Sequence, residues 1–275
     1  MSSFVIKSIG KALNATSLIS SKYASKKALS LFASPRKGRY NDVQKQLLAK
    51  ANYKELTYDN LKIATYHFKG SNKTVLLAHG WESNASRWSY LFDDLLREKY
   101  NIVLLDGPAH GNSGGKQFNA ILYSEFIRIV TETYKPEVLI GHSVGGMASV
   151  FCMHNHQLNF VNKMVLLGAP AHFTGVFTRY KSMMGYNHRI SKGLDSIVLE
   201  RFGNPTDYYS AANFTKEIKA KGLIIHDKKD KIIPYEDALL FANRYKNSEL
   251  ITTTGFGHSL RDKSITPKII RFINQ

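Results

Sequence analysis

Residues 138–146, Val138-Leu139-Ile140-Gly141-His142-Ser143-Val144-Gly145-Gly146, run from an apolar stretch straight into a helix-forming segment. Val138–Ile140 reads as a short buried strand and Val144–His154 as a helix, so the chain must reverse through His142 and Ser143. Glycines at 141 and 145 leave room for so sharp a turn. Its middle residue is forced into strained backbone geometry, and the Ser143 hydroxyl projects clear of the sheet. A Gly-x-Ser-x-Gly string arises by chance in roughly one chain in ten of this length, so the strand-turn-helix context carries the reading.

Outward from this turn the chain repeats one rhythm. Apolar runs at Thr74–Ala78, Ile102–Leu105, Val138–Ile140, Lys163–Leu167, Leu223–Ile225 and Leu250–Thr253 read as strands. Between them, Arg87–Arg97, Ala120–Tyr134, Tyr235–Tyr245 and Ser264–Ile273 carry helical periodicity. Short apolar strands separated by amphipathic helices imply an α/β fold: a mostly parallel central sheet covered by helices on both faces. Ahead of these, Tyr53–Tyr58 and Leu61–Phe68 alternate around Asp59-Asn60, which predicts an antiparallel hairpin at one edge. The rhythm breaks once, between Leu167 and Leu223. Phe173, Phe177, Tyr180, Met183, Met184 and Tyr186 lie in that interval, so 170–213 is expected to form an inserted helical cap.

Composition bounds the function. The chain has 275 residues, a formal net charge of +17 and one cysteine, Cys152. One cysteine leaves no intramolecular disulfide, which suits a cytoplasmic setting. No run approaches the length of a spanning helix. Residues 1–50 contain ten Lys or Arg against a single acid, Asp42. They are expected to form a basic helical N-terminal extension, with the α/β domain over 51–275. Val5, Ile9 and Leu13, then Ala24, Ala28, Leu31 and Phe32, fall at helical spacing, and Val43, Leu47 and Leu48 suggest a further short helix. The preferred reading is helices packed on the domain with a solvated lysine face; the alternative is a peripheral contact with an anionic membrane. The Ser- and Lys-rich start also matches an organellar transit peptide weakly, with Lys in place of Arg. No zinc spacing, recognition helix or RNA-binding strand points to nucleic acid, and no phosphate-cradling or dinucleotide motif to a cofactor.

From about Tyr53 to the C-terminus the sequence resembles the α/β-hydrolase family, on four further stretches in the family's order. His79-Gly80-Trp81 looks like the oxyanion loop, and Asp106-Gly107-Pro108-Ala109-His110-Gly111-Asn112-Ser113 like the structural turn after the next strand. His226-Asp227-Lys228-Lys229-Asp230-Lys231-Ile232-Ile233-Pro234 resembles the acid loop, and Gly257-His258 the histidine loop. The order Ser143, Asp230, His258 is the one this fold uses. The resemblance implies Ser143 as nucleophile, His258 as base and Asp230, rather than its rival Asp227, as orienting acid. It also implies the backbone N–H groups of Trp81 and Val144 as oxyanion donors, with no cofactor and no metal.

The chemistry needs each part. A serine hydroxyl is a poor nucleophile near neutral pH and requires a base within hydrogen-bond reach. His258 follows the last strand, where loops converge at the carboxyl edge of the sheet, whereas His79, His110 and His142 read as positional residues. An acid beside the imidazole holds the useful tautomer. The expected function is therefore a serine hydrolase cleaving small carboxylic esters through an acyl-enzyme. Thioester hydrolysis or acyl transfer would use the same parts, and a non-catalytic ligand-binding protein would keep the fold without the chemistry. A serine at 143 argues against the dehalogenase and epoxide-hydrolase branches, whose nucleophile is an aspartate. The Trp81 ring is expected either to wall the pocket or to pack in the core, and Phe177, Met183, Met184 and Tyr186 either to line an acyl pocket or to pack the cap.

Overall fold

A computed structural model describes residues 3–275, which fall into two compact units. The larger comprises Pro35–Ala171 and Ala211–Gln275, the smaller 3–34 with His172–Ser210.

Helices α1 (Ser3–Ile19) and α2 (Ser21–Ala33) belong to the smaller unit. The larger unit begins with α3 (Asp42–Leu48), β1 (Asn52–Tyr58), β2 (Leu61–Phe68) and β3 (Thr74–Ala78). A 3₁₀ turn at Ala85–Trp88 leads into α4 (Ser89–Arg97), then β4 (Asn101–Leu105) and α5 (Ala120–Tyr134). Next come β5 (Val138–His142), α6 (Val144–His156) and β6 (Lys163–Leu167). Helices α7 (Phe173–Met184) and α8 (His188–Phe202) return to the smaller unit. The larger unit closes with α9 (Ala211–Phe214), β7 (Lys221–Asp227), α10 (Tyr235–Arg244), β8 (Ser248–Thr253) and α11 (Thr266–Asn274).

The eight strands form one sheet in the order β1-β2-β4-β3-β5-β6-β7-β8. The hairpin is at the edge, as its alternation predicts. Tyr58 pairs with Leu61, and Asp59 and Asn60 take φ of 45° and 59°, the left-handed pair a two-residue hairpin turn demands. β2 joins β4 antiparallel, and the remaining pairs are parallel. One face packs Leu77, Leu104, Ile140 and Val165 against Trp88 and Leu91 on one side and Ile269 and Phe272 of α11 on the other. The opposite face meets α5, α6 and α10. Strands buried on both faces explain why the central ones read as unbroken apolar runs.

The smaller unit pairs α1 and α2 with α7 and α8. Phe177, buried, meets Phe173 at 4.9 Å and Phe32 of α2 at 5.3 Å between ring centroids. The Tyr180 hydroxyl donates to the Ala28 carbonyl (2.8 Å). Asn14 Nδ2 donates to the Gly185 carbonyl (2.8 Å) and Asn14 Oδ1 accepts the Asn187 N–H (2.9 Å). Phe177 and Met184 therefore pack this unit's own core, while Met183 is exposed. The basic stretch 1–50 divides at residue 34, because the Tyr40 hydroxyl donates to Asp106 Oδ1 (2.5 Å) and binds 35–50 to the sheet.

Backbones of α2 and α8 approach closely at Gly193, where an added Cβ would lie 2.2 Å from Ser25 Oγ. Gly193→Val is expected to lower unfolding free energy by about 1–3 kcal/mol through overpacking, measured by urea denaturation; an unchanged midpoint would show that the helices separate freely.

Candidate active site

The turn after β5 is held by crowding. Ser143 has φ 53° and ψ −128°, a conformation that a side-chain-bearing residue adopts only under constraint. A Cβ at Gly145 would fall 2.4 Å from the carbonyl oxygens of Ala78 and His79, and one at Gly141 would fall 2.5 Å from Gly146 Cα. Only glycine lets the turn pass these atoms. The Ser143 N–H donates to the Leu167 carbonyl (2.8 Å), tying the turn to β6.

His258 lies in the 3₁₀ turn Gly257–Ser259 after β8. Its Nε2 is 3.0 Å from Ser143 Oγ and its Nδ1 is 2.7 Å from Asp230 Oδ2. A carboxylate only accepts, so Nδ1 carries the proton and Nε2 is left to accept from the serine hydroxyl. Asp230 Oδ1 accepts the N–H groups of Ile232 (2.8 Å) and Ile233 (3.0 Å). Burial alone would raise the Asp230 carboxyl. Hydrogen bonds from His226, His258 and the Ile233 N–H outweigh it and hold the group well below the usual carboxylate range.

The structure separates the two candidate acids. Asp227 Oδ2 accepts from Thr253 Oγ1 (2.8 Å) and the Phe256 N–H (2.9 Å). Its Oδ1 accepts the N–H groups of Lys229 (2.8 Å) and Gly255 (3.2 Å). Asp227 thus ties the end of β7 to the segment leading into His258, whereas Asp230 meets the imidazole itself.

Two further side chains hold the histidine loop from behind. His142 Nε2 is 2.8 Å from the His258 carbonyl, and Arg87 Nη2 donates to the Ser259 carbonyl (2.6 Å). Arg87 is buried, and that burial pulls its guanidinium down to about 9. Gly168 (φ 54°) faces the acid–histidine pair, an added Cβ there lying 3.5 Å from both Asp230 Oδ2 and His258 Nδ1.

Gly80 runs beside the serine: a Cβ on it would lie 3.0 Å from Ser143 Cβ and 2.8 Å from His142 Nδ1. Trp81 follows it, and Val144 opens α6, where the first N–H groups have no partner inside the helix. His79 accepts the Gly107 N–H at Nε2 (2.9 Å) and lies 2.7 Å from the Gly80 carbonyl through Nδ1. His110 brackets the loop likewise, accepting the Glu82 N–H at Nε2 (2.9 Å) and lying 2.8 Å from the Pro108 carbonyl through Nδ1. Burial lowers both imidazoles below the ordinary histidine range, favouring neutral rings that donate at one nitrogen and accept at the other. The Trp81 ring is partly exposed and meets Phe118 (5.3 Å) and His110 (5.5 Å) edge-on, so it lies outside the core. Cys152 is buried, away from any reactant role. Among the described residues, no three His, Cys, Asp or Glu side chains gather in a metal-holding cluster.

Residues 75–245 match the model of the Alpha/beta hydrolase family. The chain belongs to this family. Among curated relatives, the AB hydrolase superfamily protein YisY of Bacillus subtilis is 23% identical over 233 residues, covering 69% of this chain and 86% of its own. A 2-hydroxy-6-oxononadienedioate/2-hydroxy-6-oxononatrienedioate hydrolase of Escherichia coli is 25% identical over 237 residues, covering 68% and 81%. Among solved structures, an esterase from Exiguobacterium antarcticum superposes with a TM-score of 0.64 at 20% identity, covering 82% of this α/β hydrolase and all of that chain. These structural likenesses support the fold alone.

Sequence reasoning singles out Ser143, Asp230, His258, Trp81 and Val144, and the structure brings the first three into one hydrogen-bonded chain. It passes over Arg87, Tyr40 and Thr253. The only local signal for Arg87 is a cation beside Trp88.

In this hydrolase Asp230→Asn is expected to lower kcat on an aryl ester by about 10⁴-fold through the wrong imidazole tautomer. Asp227→Asn is expected to act on stability instead. Whichever way its amide turns, the NH₂ faces a backbone donor, at a cost of about 1–3 kcal/mol. Steady-state kinetics beside thermal unfolding separate the two; equal kinetic losses would reverse these roles.

Proposed function

We propose that this α/β hydrolase is a serine hydrolase that cleaves carboxylic esters through an acyl-enzyme on Ser143. The observation that carries the proposal is the continuous chain from Ser143 Oγ through both nitrogens of His258 to Asp230. Ser143 Oγ attacks the ester carbonyl carbon while its proton passes to His258 Nε2. Asp230, charged throughout the neutral range because its carboxyl is held low, stabilises the imidazolium that results. Negative charge on the former carbonyl oxygen meets the N–H groups of Val144 and Trp81. Each such donor is worth about 2.7–4 kcal/mol in the transition state. Val144 stands at the N-terminus of α6, so the helix dipole adds to the same end. As the intermediate collapses, the C–O bond breaks and the alkoxide takes the proton from Nε2. Water then attacks the acyl-serine, giving a proton to the same nitrogen, and Ser143 is regenerated.

A curated relative that is itself a hydrolase supports the reaction type, hydrolysis, and leaves the ester class resting on the site. A small-molecule ester is the substrate class proposed, and the steps use this chain's own residues and water.

Ser143→Ala is expected to abolish labelling by a fluorophosphonate and to reduce turnover of 4-nitrophenyl acetate by about 10⁶-fold, with an unchanged circular dichroism spectrum. Wild-type turnover in the alanine variant would sink the proposal.

A further inference from the structure

Helix α1 uses only one of its sides inside its unit and leaves large apolar residues on the other. The inner side carries Gly10, Asn14 and Ser17, with Ile9 and Leu13 half-buried. A Cβ at Gly10 would meet the Met184 carbonyl oxygen, so this side is pressed against the end of α7. At 100° per residue, Phe4, Ala12, Ala15, Leu18 and Ile19 share the opposite side, with Lys11 and Ser8 among them. All are exposed: Phe4 to 78%, Leu18 to 69% and Ile19 to 92%. Large apolar side chains grouped at such exposure mark a surface that meets something other than water.

The ending of α1 sharpens the patch. Ser20 separates α1 from α2, and its hydroxyl caps α2 by accepting the Tyr23 N–H (3.2 Å). Leu18 and Ile19 therefore project just before the break, and Tyr23, 54% exposed, just after it. Around them stand Lys22, Lys26 and Lys27, all exposed, with Lys7 at the edge of the α1 face and Lys11 within it. Lys27 Nζ lies over the Tyr23 ring, 5.6 Å from its centroid. Residues 3–34 contain five lysines and no acid.

Charge chooses the occupant. A second copy seated on this face would bring the same five lysines against these five, a like-charge contact in which α1 and α2 supply no acid. An anionic lipid surface supplies the complement: phosphates and carboxylates for the lysines, acyl chains for Leu18 and Ile19. Lysine stems lie along apolar surface while their ammonium groups reach the headgroups, and tyrosine favours the same depth. No helix among the described residues is long and apolar enough to cross a membrane, so the contact is peripheral.

We infer that the outward face of α1 and the start of α2 form a docking surface for anionic membranes, with Leu18 and Ile19 inserted and the lysines on the headgroups. The full-length protein is mixed with phosphatidylcholine vesicles containing about a third phosphatidylserine and with pure phosphatidylcholine vesicles. The expected result is sedimentation with the anionic vesicles, much weaker binding to the neutral ones, and release as salt rises from 0.1 M, where the Debye length is about 10 Å. Leu18→Glu with Ile19→Glu is expected to weaken partition by at least about tenfold, since each side chain loses its apolar burial. Lys22→Glu with Lys26→Glu is expected to match that loss without touching the apolar positions. Ile19→Trp adds a reporter whose emission moves to shorter wavelength on binding, and it keeps the test open if the glutamate pair unfolds. A wild-type protein left in the supernatant at low salt overturns the inference. So does wild-type partition in a folded Leu18→Glu, Ile19→Glu variant. A dimer that this variant dissociates, with no vesicle binding by the wild type, assigns the face to a second copy and overturns it too.

Discussion

Ser143 cannot take its left-handed backbone unless chain presses on it from every side. Gly145 passes the carbonyl oxygens at the end of β3 where no Cβ fits, and Gly141 and Gly146 pass each other. Through the Ser143 N–H the same turn is bonded to the end of β6. The carboxyl ends of three neighbouring strands are therefore fixed relative to one serine hydroxyl. The sheet order makes this possible, because β5 lies between β3 and β6 with parallel registry on both sides. A strained residue of this kind costs about 1–3 kcal/mol, so it persists only where surrounding packing over-determines it.

Loops around that turn are tied by buried carboxylates that act as acceptors. Asp106 takes the hydroxyls of Tyr40 and Tyr66 and the N–H groups of Ala85 and Asn112. Burial pushes its carboxyl up to about 6 despite these donors, so at neutral pH the ionised form still faces them. Asp227 does for the histidine loop what Asp106 does for the segment after β3. Asp230 differs in one respect: one of its oxygens is given to an imidazole rather than to backbone or hydroxyl. Three aspartates near one edge of the sheet are thus divided by what they accept from, which their spacing alone does not reveal.

Legibility followed the range of the interaction. The strand rhythm and the hairpin are set by near neighbours in the chain and are readable; at Ser143 the Gly-x-Ser-x-Gly string marks the turn, while the atoms that crowd it come from distant strands. Order along the chain, through resemblance to a family, then selected Asp230 and His258. Arg87 was not readable, because its meaning lies in a carbonyl 172 positions away. The smaller unit was half readable. Periodicity in 1–34 and in 170–213 announces apolar helical faces, but no local pattern says that Phe32 and Phe177 belong to one core. Helical spacing identifies a face that needs a partner and is silent on which partner it finds.

That limit explains what became of the aromatic and methionine side chains between β6 and β7. In sequence they suit an acyl pocket as well as a cap core, since both demand apolar volume. The structure buries Phe177 and Met184, both on α7, with Phe177 against Phe32 of α2 and the Met184 carbonyl against Gly10 of α1. A side chain buried to that degree in its own unit has little surface left to contact a ligand. Trp81, on the loop that passes Ser143, keeps a partly open ring instead. Its ring is braced edge-on by Phe118 and His110, and its backbone follows the glycine that runs against Ser143. Braced in this way, the ring takes its orientation from the loops around it, which the backbone hydrogen bonds of His79 and His110 hold in turn.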